Sequence, residues 1–112
     1  MVGQLLTLGI PNLNLLFEDD DGAAVCHEFD GKYIIHSEFR KEITKELLKK
    51  AMEVSFMIDN AFRERGITEL YTWAENDKQH RYNQFLGYFP TGNEVKIDGY
   101  DNSIFEYKKD LK

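Results

Sequence analysis

Lys32-Tyr33-Ile34-Ile35-His36-Ser37-Glu38-Phe39, then the run from residue 41 to 65, then Ile67-Thr68-Glu69-Leu70-Tyr71-Thr72-Trp73-Ala74 form the centre of the chain. The two flanking pieces are short and rich in β-branched and aromatic residues, which pack well on a pleated surface, and they read as strands. In the middle piece the apolar period changes from two to 3.6. Ile43, Leu47, Ala51, Val54, Ile58, Ala61 and Phe62 share one stripe, while Lys45, Glu46, Lys49, Lys50, Glu53, Asp59 and Glu64 avoid its centre. That pattern predicts one long amphipathic helix. Gly66 stands where a left-handed residue would end it, and Arg63 and Arg65 complement the dipole in its last turn. Strand, helix and strand in this order make a parallel crossover between residues 32–39 and 67–74.

Upstream, Leu15-Leu16-Phe17 meets the turn Asp19-Asp20-Asp21-Gly22, and residues 23 to 29 meet Asp30-Gly31. Asp-Gly between alternating runs predicts a tight hairpin, because both central positions of a type I′ turn need positive φ. Residues 13 to 39 therefore read as an antiparallel meander. Downstream, Asn76 or Asp77 can cap a second helix that runs to about Leu86 and stops at Gly87. Segments around Tyr88-Phe89, 94 to 97 and 103 to 108 read as a closing hairpin. The expected order is β-β-β-α-β-α-β-β, an α/β chain with a mixed sheet, and its 112 residues suit a single domain over 1–112.

Fourteen basic against 20 acidic side chains leave a net charge of -6, which repels a phosphate backbone and makes nucleic acid a poor partner. Met1-Val2-Gly3-Gln4-Leu5-Leu6 lacks a basic export region, and no 18-residue apolar window suggests a membrane span. A lone cysteine, Cys26 in an apolar run, fits a packed side chain in a reducing cytoplasm. The three histidines, His27, His36 and His80, fall on different elements without zinc-ligand spacing, so no metal site is expected. His36 has the chemistry of a base, but a strand histidine usually serves structure. The acidic run at 18 to 22 lacks the distant bidentate Glu of a calcium loop and reads as a solvated turn. Trp73, Tyr71, Tyr82, Phe85, Tyr88 and Phe89 suit a core beneath a sheet, or a protein contact where exposed.

The segment from Trp73-Ala74-Glu75-Asn76 to Phe85-Leu86-Gly87-Tyr88-Phe89-Pro90-Thr91-Gly92, with its Asn76-to-Gly87 spacing and the order of elements over 13 to 109, resembles the core of the GCN5-related N-acetyltransferase (GNAT) family. The resemblance implies acetyl-CoA, its pyrophosphate laid on the start of the long helix, where a Gln/Arg-x-x-Gly-x-Gly/Ala loop admits the anion. Here Arg40 takes the first position, Ile43 the first Gly and Lys45 the Gly/Ala, and no glycine occurs between Gly31 and Gly66. Phe39, Arg40, Lys41, Thr44, Lys45 and Asn76 remain the implied cofactor contacts, the cations acting through charge. Glu28 and Glu38 are the implied candidates for a base and Tyr82 for an acid. The family's tyrosine acid falls at Asn83, and one helical step of about 100° should turn Tyr82 elsewhere. The family's first strand and two early helices would have to collapse into residues 1 to 12, removing one wall of the acceptor groove. Two expectations follow: an acetyl-CoA-dependent N-acyltransferase with a degenerate cofactor loop, or a non-catalytic protein-binding relative. The second resembles compact GNAT-like proteins of tailed bacteriophages, placed in a virion or host cytoplasm.

Overall fold

Asp30 and Gly31 adopt φ of 53° and 75°, and the hairpin they turn joins two strands in full register from Phe29↔Lys32 to Gly22↔Phe39. The computed structural model describes residues 14–111, so the reading of residues 1 to 12 lies outside it. Its elements are β1 (Asn14–Asp19), β2 (Gly22–Phe29), β3 (Lys32–Phe39), α1 (Lys45–Glu64), β4 (Glu69–Ala74), α2 (Asp77–Phe85), β5 (Phe89–Val95) and β6 (Ile104–Asp110). The expected order is the one observed. One mixed sheet runs β1-β2-β3-β4-β6-β5, parallel between β3 and β4 and antiparallel elsewhere.

α1 starts at Lys45 rather than near residue 41. Thr44 is the reason: its backbone is extended and its Oγ1 accepts the Leu47 amide at 3.1 Å, which satisfies one orphan donor of the first turn. The apolar stripe read from the sequence holds in part: Leu47 and Phe62 are buried and Ala51, Val54 and Ile58 half-buried, whereas Ala61 is exposed and Ile43 precedes the helix. Ala51, Val54 and Ile58 wall an open cleft, and Ile58 also packs against the buried core. No helix of the described residues is long and apolar enough to cross a membrane.

Side chains of alternate parity build a core on each face of the sheet. Cys26, Ile35, Leu70, Tyr88 and Tyr107 pack with Phe62 of α1, and Ile34, Trp73, Val95 and Ile104 pack on the other face. Burial pushes the Cys26 thiol up to about 11, with Glu28 adding to the effect, so this cysteine is inert packing as expected. A polar staple ties β3, β5 and β6 together: buried Glu106 accepts from Lys32 Nζ at 2.8 Å, Thr91 Oγ1 at 2.8 Å and Asn93 Nδ2 at 3.2 Å. Burial raises the Glu106 pKa, but these three bonds outweigh it and hold the group charged. At the outer edge, β5 contains Pro90, and its pairing with β6 slips between Pro90 and Glu94.

Gly22 opens β2 directly against β3, and a Cβ there would overlap the carbonyl oxygen of Glu38. That oxygen belongs to paired backbone and cannot retreat as a flexible side chain would. Gly22→Ala is expected to lower stability by about 3 kcal/mol, an overpacking cost. A urea midpoint equal to that of the parent protein would contradict this.

Candidate functional site

Parallel strands β3 and β4 share one bridge, Ile34↔Tyr71. Just past it Thr72 Oγ1 donates to the Ile35 carbonyl at 2.7 Å, and beyond that point the two strands line opposite sides of a cleft. The cleft encloses about 930 Å³, its open mouth included. Leu47, Ala51, Val54 and Ile58 of α1 form one wall, with Ala24 and Ile35 of the sheet opposite. α2 closes the end through Gln79, Tyr82, Asn83 and Leu86.

α2 starts at Asp77 because its cap is local, Asn76 Oδ1 accepting the Gln79 amide at 2.9 Å, and it touches β3 through Tyr82 and β4 through Asn83. Asn76, expected as a cofactor contact, uses its Oδ1 for helix capping. Asn83 is buried and donates through Nδ2 to the Trp73 carbonyl at 3.2 Å, which binds α2 to β4. Tyr82 turns toward β3, where its ring meets Phe39 edge-on at 5.2 Å, and its phenol takes a hydrogen bond from Ser37. The expectation that Tyr82 points away from the site is corrected: a helix wedged between two diverging strands presents adjacent residues to both. Burial pushes the Tyr82 pKa up, against the Ser37 bond, so the phenol holds its proton at neutral pH.

The remaining candidates divide by position. Phe39 and Glu38 line the cleft, and Glu38 accepts from Arg40 Nε at 3.4 Å. Glu28 is exposed and pairs in register with Tyr33, about 16 Å along the strands from the Ala23↔Glu38 level, so it stands apart from the cleft. Thr44 and Lys45 sit at the start of α1, as the resemblance places them.

Arg40 and Lys41 are engaged by carboxylates. Arg40 donates to Glu18 at 2.6 Å and to the Asp19 carbonyl at 3.1 Å, and Lys41 pairs with Asp21 at 3.0 Å. Lys50, which the sequence reading did not select, reaches from α1 to Asp19 and to Asp21, the latter at 2.9 Å. Lys50 holds both carboxyls below their usual range, with Lys41 assisting at Asp21. The acidic turn is therefore an ion-paired rim of the cleft, where a solvated turn was expected. Its lysine partner lies 31 residues away from Asp19, a contact that only the fold reveals.

His27 and His36, read as separate, are stacked with ring centroids 4.9 Å apart and His36 Nε2 3.1 Å from His27 Nδ1. The hairpin register held the signal: a two-residue turn at 30–31 sets His27 opposite Ile34 and His36 opposite Val25, a diagonal pair on one face. Trp73 and Phe29 enclose them edge-on. Among the described residues no cluster of three or more potential metal ligands occurs.

No protein-family model matches the sequence, and no curated protein matches it. Solved structures do. A protein of Agrobacterium tumefaciens classed with the acetyltransferases superposes with a TM-score of 0.56 at 17% identity, over 97% of this chain and 83% of its own. YncA of Salmonella typhimurium, classed likewise and solved with its cofactor acetyl-CoA, gives 0.63 at 16% identity, over 98% and 69%. A GNAT-family acetyltransferase of Bacillus anthracis gives 0.55 at 18% identity, over 78% and 55%. Together with the sheet order, the single β3–β4 bridge and the wedged α2, these likenesses give the chain the fold of the GNAT acetyltransferases.

Proposed function

We infer that this protein binds the acyl-bearing arm of a coenzyme A-type thioester in the β3–β4 cleft and passes the acyl group to an amine. The observation that carries the reading is the cleft itself, apolar along α1 and closed at its inner end by a protonated tyrosine. The lining fits the arm: aliphatic walls suit its methylenes, and the strand edges past the last bridge offer backbone partners for its amides. The phosphate end fits less well, because Arg40, Lys41 and Lys50 already hold carboxylates.

A bound acyl thioester supplies an activated carbonyl. The protein's own groups then have distinct tasks. In this reading Tyr82, held against Phe39 and Ser37, gives a proton to the departing sulfur, and Glu38 on the cleft wall accepts one from the attacking amine. A thermal shift tests the binding step: acetyl-CoA at about 100 times its dissociation constant should stabilise the fold by about 2.7 kcal/mol. With an amine panel and thiol detection, Tyr82→Phe should slow thiol release about 100-fold without moving the melting temperature. An unchanged melting temperature at millimolar acetyl-CoA and S-acetylpantetheine would end this reading.

A non-catalytic protein-binding role, virion-associated or host-directed, draws on a different feature. Met52, Phe56 and Met57 lie on the outer side of α1 at 45%, 64% and 63% exposure, a patch of the kind that marks protein contacts. Its test is a complex recovered from host lysate that Phe56→Asp abolishes.

A further inference from the structure

We propose that Asp19 and Asp21 stand in the place of a ligand's phosphates and thereby tune the cleft toward a thioester arm that carries no anionic head group. The inference rests on the reading of the cleft as an acyl-arm site and adds a specificity to it.

The start of a long helix flanked by basic side chains attracts anions. Arg40 and Lys41 precede α1 and Lys50 stands in its second turn, and the chain supplies its own anions there. Glu18, Asp19, Asp21 and Glu38 pair with these three cations. The two central acids are held by local structure. Asp19 Oδ1 accepts the amides of Asp21 at 2.9 Å and Gly22 at 3.2 Å, so the turn that opens β2 also aims the carboxylate. Lys50 comes from the α1 wall of the cleft and joins both acids. Asp20, Glu42 and Glu46 add exposed negative charge around the same rim, against the exposed cations Lys45 and Lys49, so acids still outnumber bases.

A polyanionic head group arriving here meets a rim with more acids than bases. It must displace carboxylates from their cations or accept like-charge repulsion. These pairs are partly exposed and individually weak, so they discriminate rather than exclude. Deeper in, aliphatic walls carry no net charge and are indifferent to the head group. Specificity against phosphates therefore sits in two residues of a tight turn, neither of which is given a proton to transfer.

Calorimetric titration at low salt tests this with two ligands, acetyl-CoA and phosphate-free S-acetylpantetheine, against the parent protein and Asp19→Asn/Asp21→Asn. Asparagine keeps the oxygen that the turn amides require. The parent protein should bind the two ligands within about threefold of each other, and the variant should tighten acetyl-CoA by roughly fivefold or more while S-acetylpantetheine stays unchanged. Asp21→Asn alone, checked by its melting curve, serves if the double variant folds poorly. Acetyl-CoA bound equally or more weakly by the variants overturns the proposal and leaves the cleft reading intact, provided S-acetylpantetheine still binds. Failure of both ligands with every form removes the cleft reading and this inference together.

Discussion

Acidification from pH 7 to pH 5 is expected to destabilise the protein steeply, and the stacked pair His27–His36 is expected to account for most of the loss. Both imidazoles are buried, at 0% and 2% exposure. Burial lowers the pKa of each, and for His36 the neighbouring His27 lowers it further. The pair makes one internal hydrogen bond, leaves His27 Nε2 without a partner, and is packed against Trp73 and Phe29. A proton on either ring would place a charge among apolar rings. The folded state therefore binds fewer protons than the unfolded chain once pH drops below the unfolded value of 6.5. Stability then falls by about 1.4 kcal/mol per pH unit for each histidine that stays neutral. The decline ends only when pH passes the depressed folded values. Paired carboxylates such as Asp19 and Glu106 keep their contribution in this window, since their folded pKa values lie below 3.8 and 4.5 and they lose it only in stronger acid. Urea midpoints at pH 7, 6 and 5 read the effect, and His27→Gln/His36→Gln should flatten the series. A parent protein whose midpoint holds steady from pH 7 to 5 would refute the assignment.

Asp59→Ala should cost about 3 to 5 kcal/mol, the usual penalty for leaving a buried charge alone. Lys109 of β6 and Asp59 of α1 form a largely buried ion pair, with side chains 9% and 14% exposed and Nζ 3.0 Å from Oδ2. Ser55 Oγ lies 3.2 Å from the same ammonium, and the Tyr88 ring lies beneath it at 4.5 Å. The pair fixes the middle of α1 to β6 and so sets the width of the cleft that Ser55 and Tyr88 line. Removing both charges is a different matter: Asp59→Ala/Lys109→Met should recover most of the loss, because no ion is then stranded. Chemical denaturation of the three proteins decides it. A single variant as stable as the parent would mean that water reaches Lys109 and the pair is not buried in any energetic sense.

What the sequence made legible was local or periodic. Asp30-Gly31 announced its hairpin, the stripe from Leu47 to Phe62 announced α1, and Asn76 with Gly87 bracketed α2, because turn φ angles, helical period and capping are properties of neighbouring residues. The candidate site was half legible for the same reason. Phe39, Glu38 and the start of α1 follow directly from the end of β3, and they line the cleft or its rim. Tyr82 was misjudged because a single helical step says nothing about how many neighbours a helix has. Lys50 was missed because its partners sit across the sheet, and Glu28 could be placed away from the cleft only once register was known. The histidine pair lay between these cases: register arithmetic across the Asp30-Gly31 turn joins the two positions, but the sequence does not say which face the tertiary packing buries.

The slipped pairing around Pro90 bears on how the protein behaves in crowded solution. An outer strand with regular unsatisfied amides is a template onto which another chain can add, and repeated addition leads to fibrils. β5 offers a poor template, since proline supplies no donor and the irregularity between Pro90 and Glu94 breaks the spacing a docking strand would need. At that margin the backbone itself thus hinders edge-to-edge addition, alongside the mutual repulsion of the protein's surplus acidic side chains.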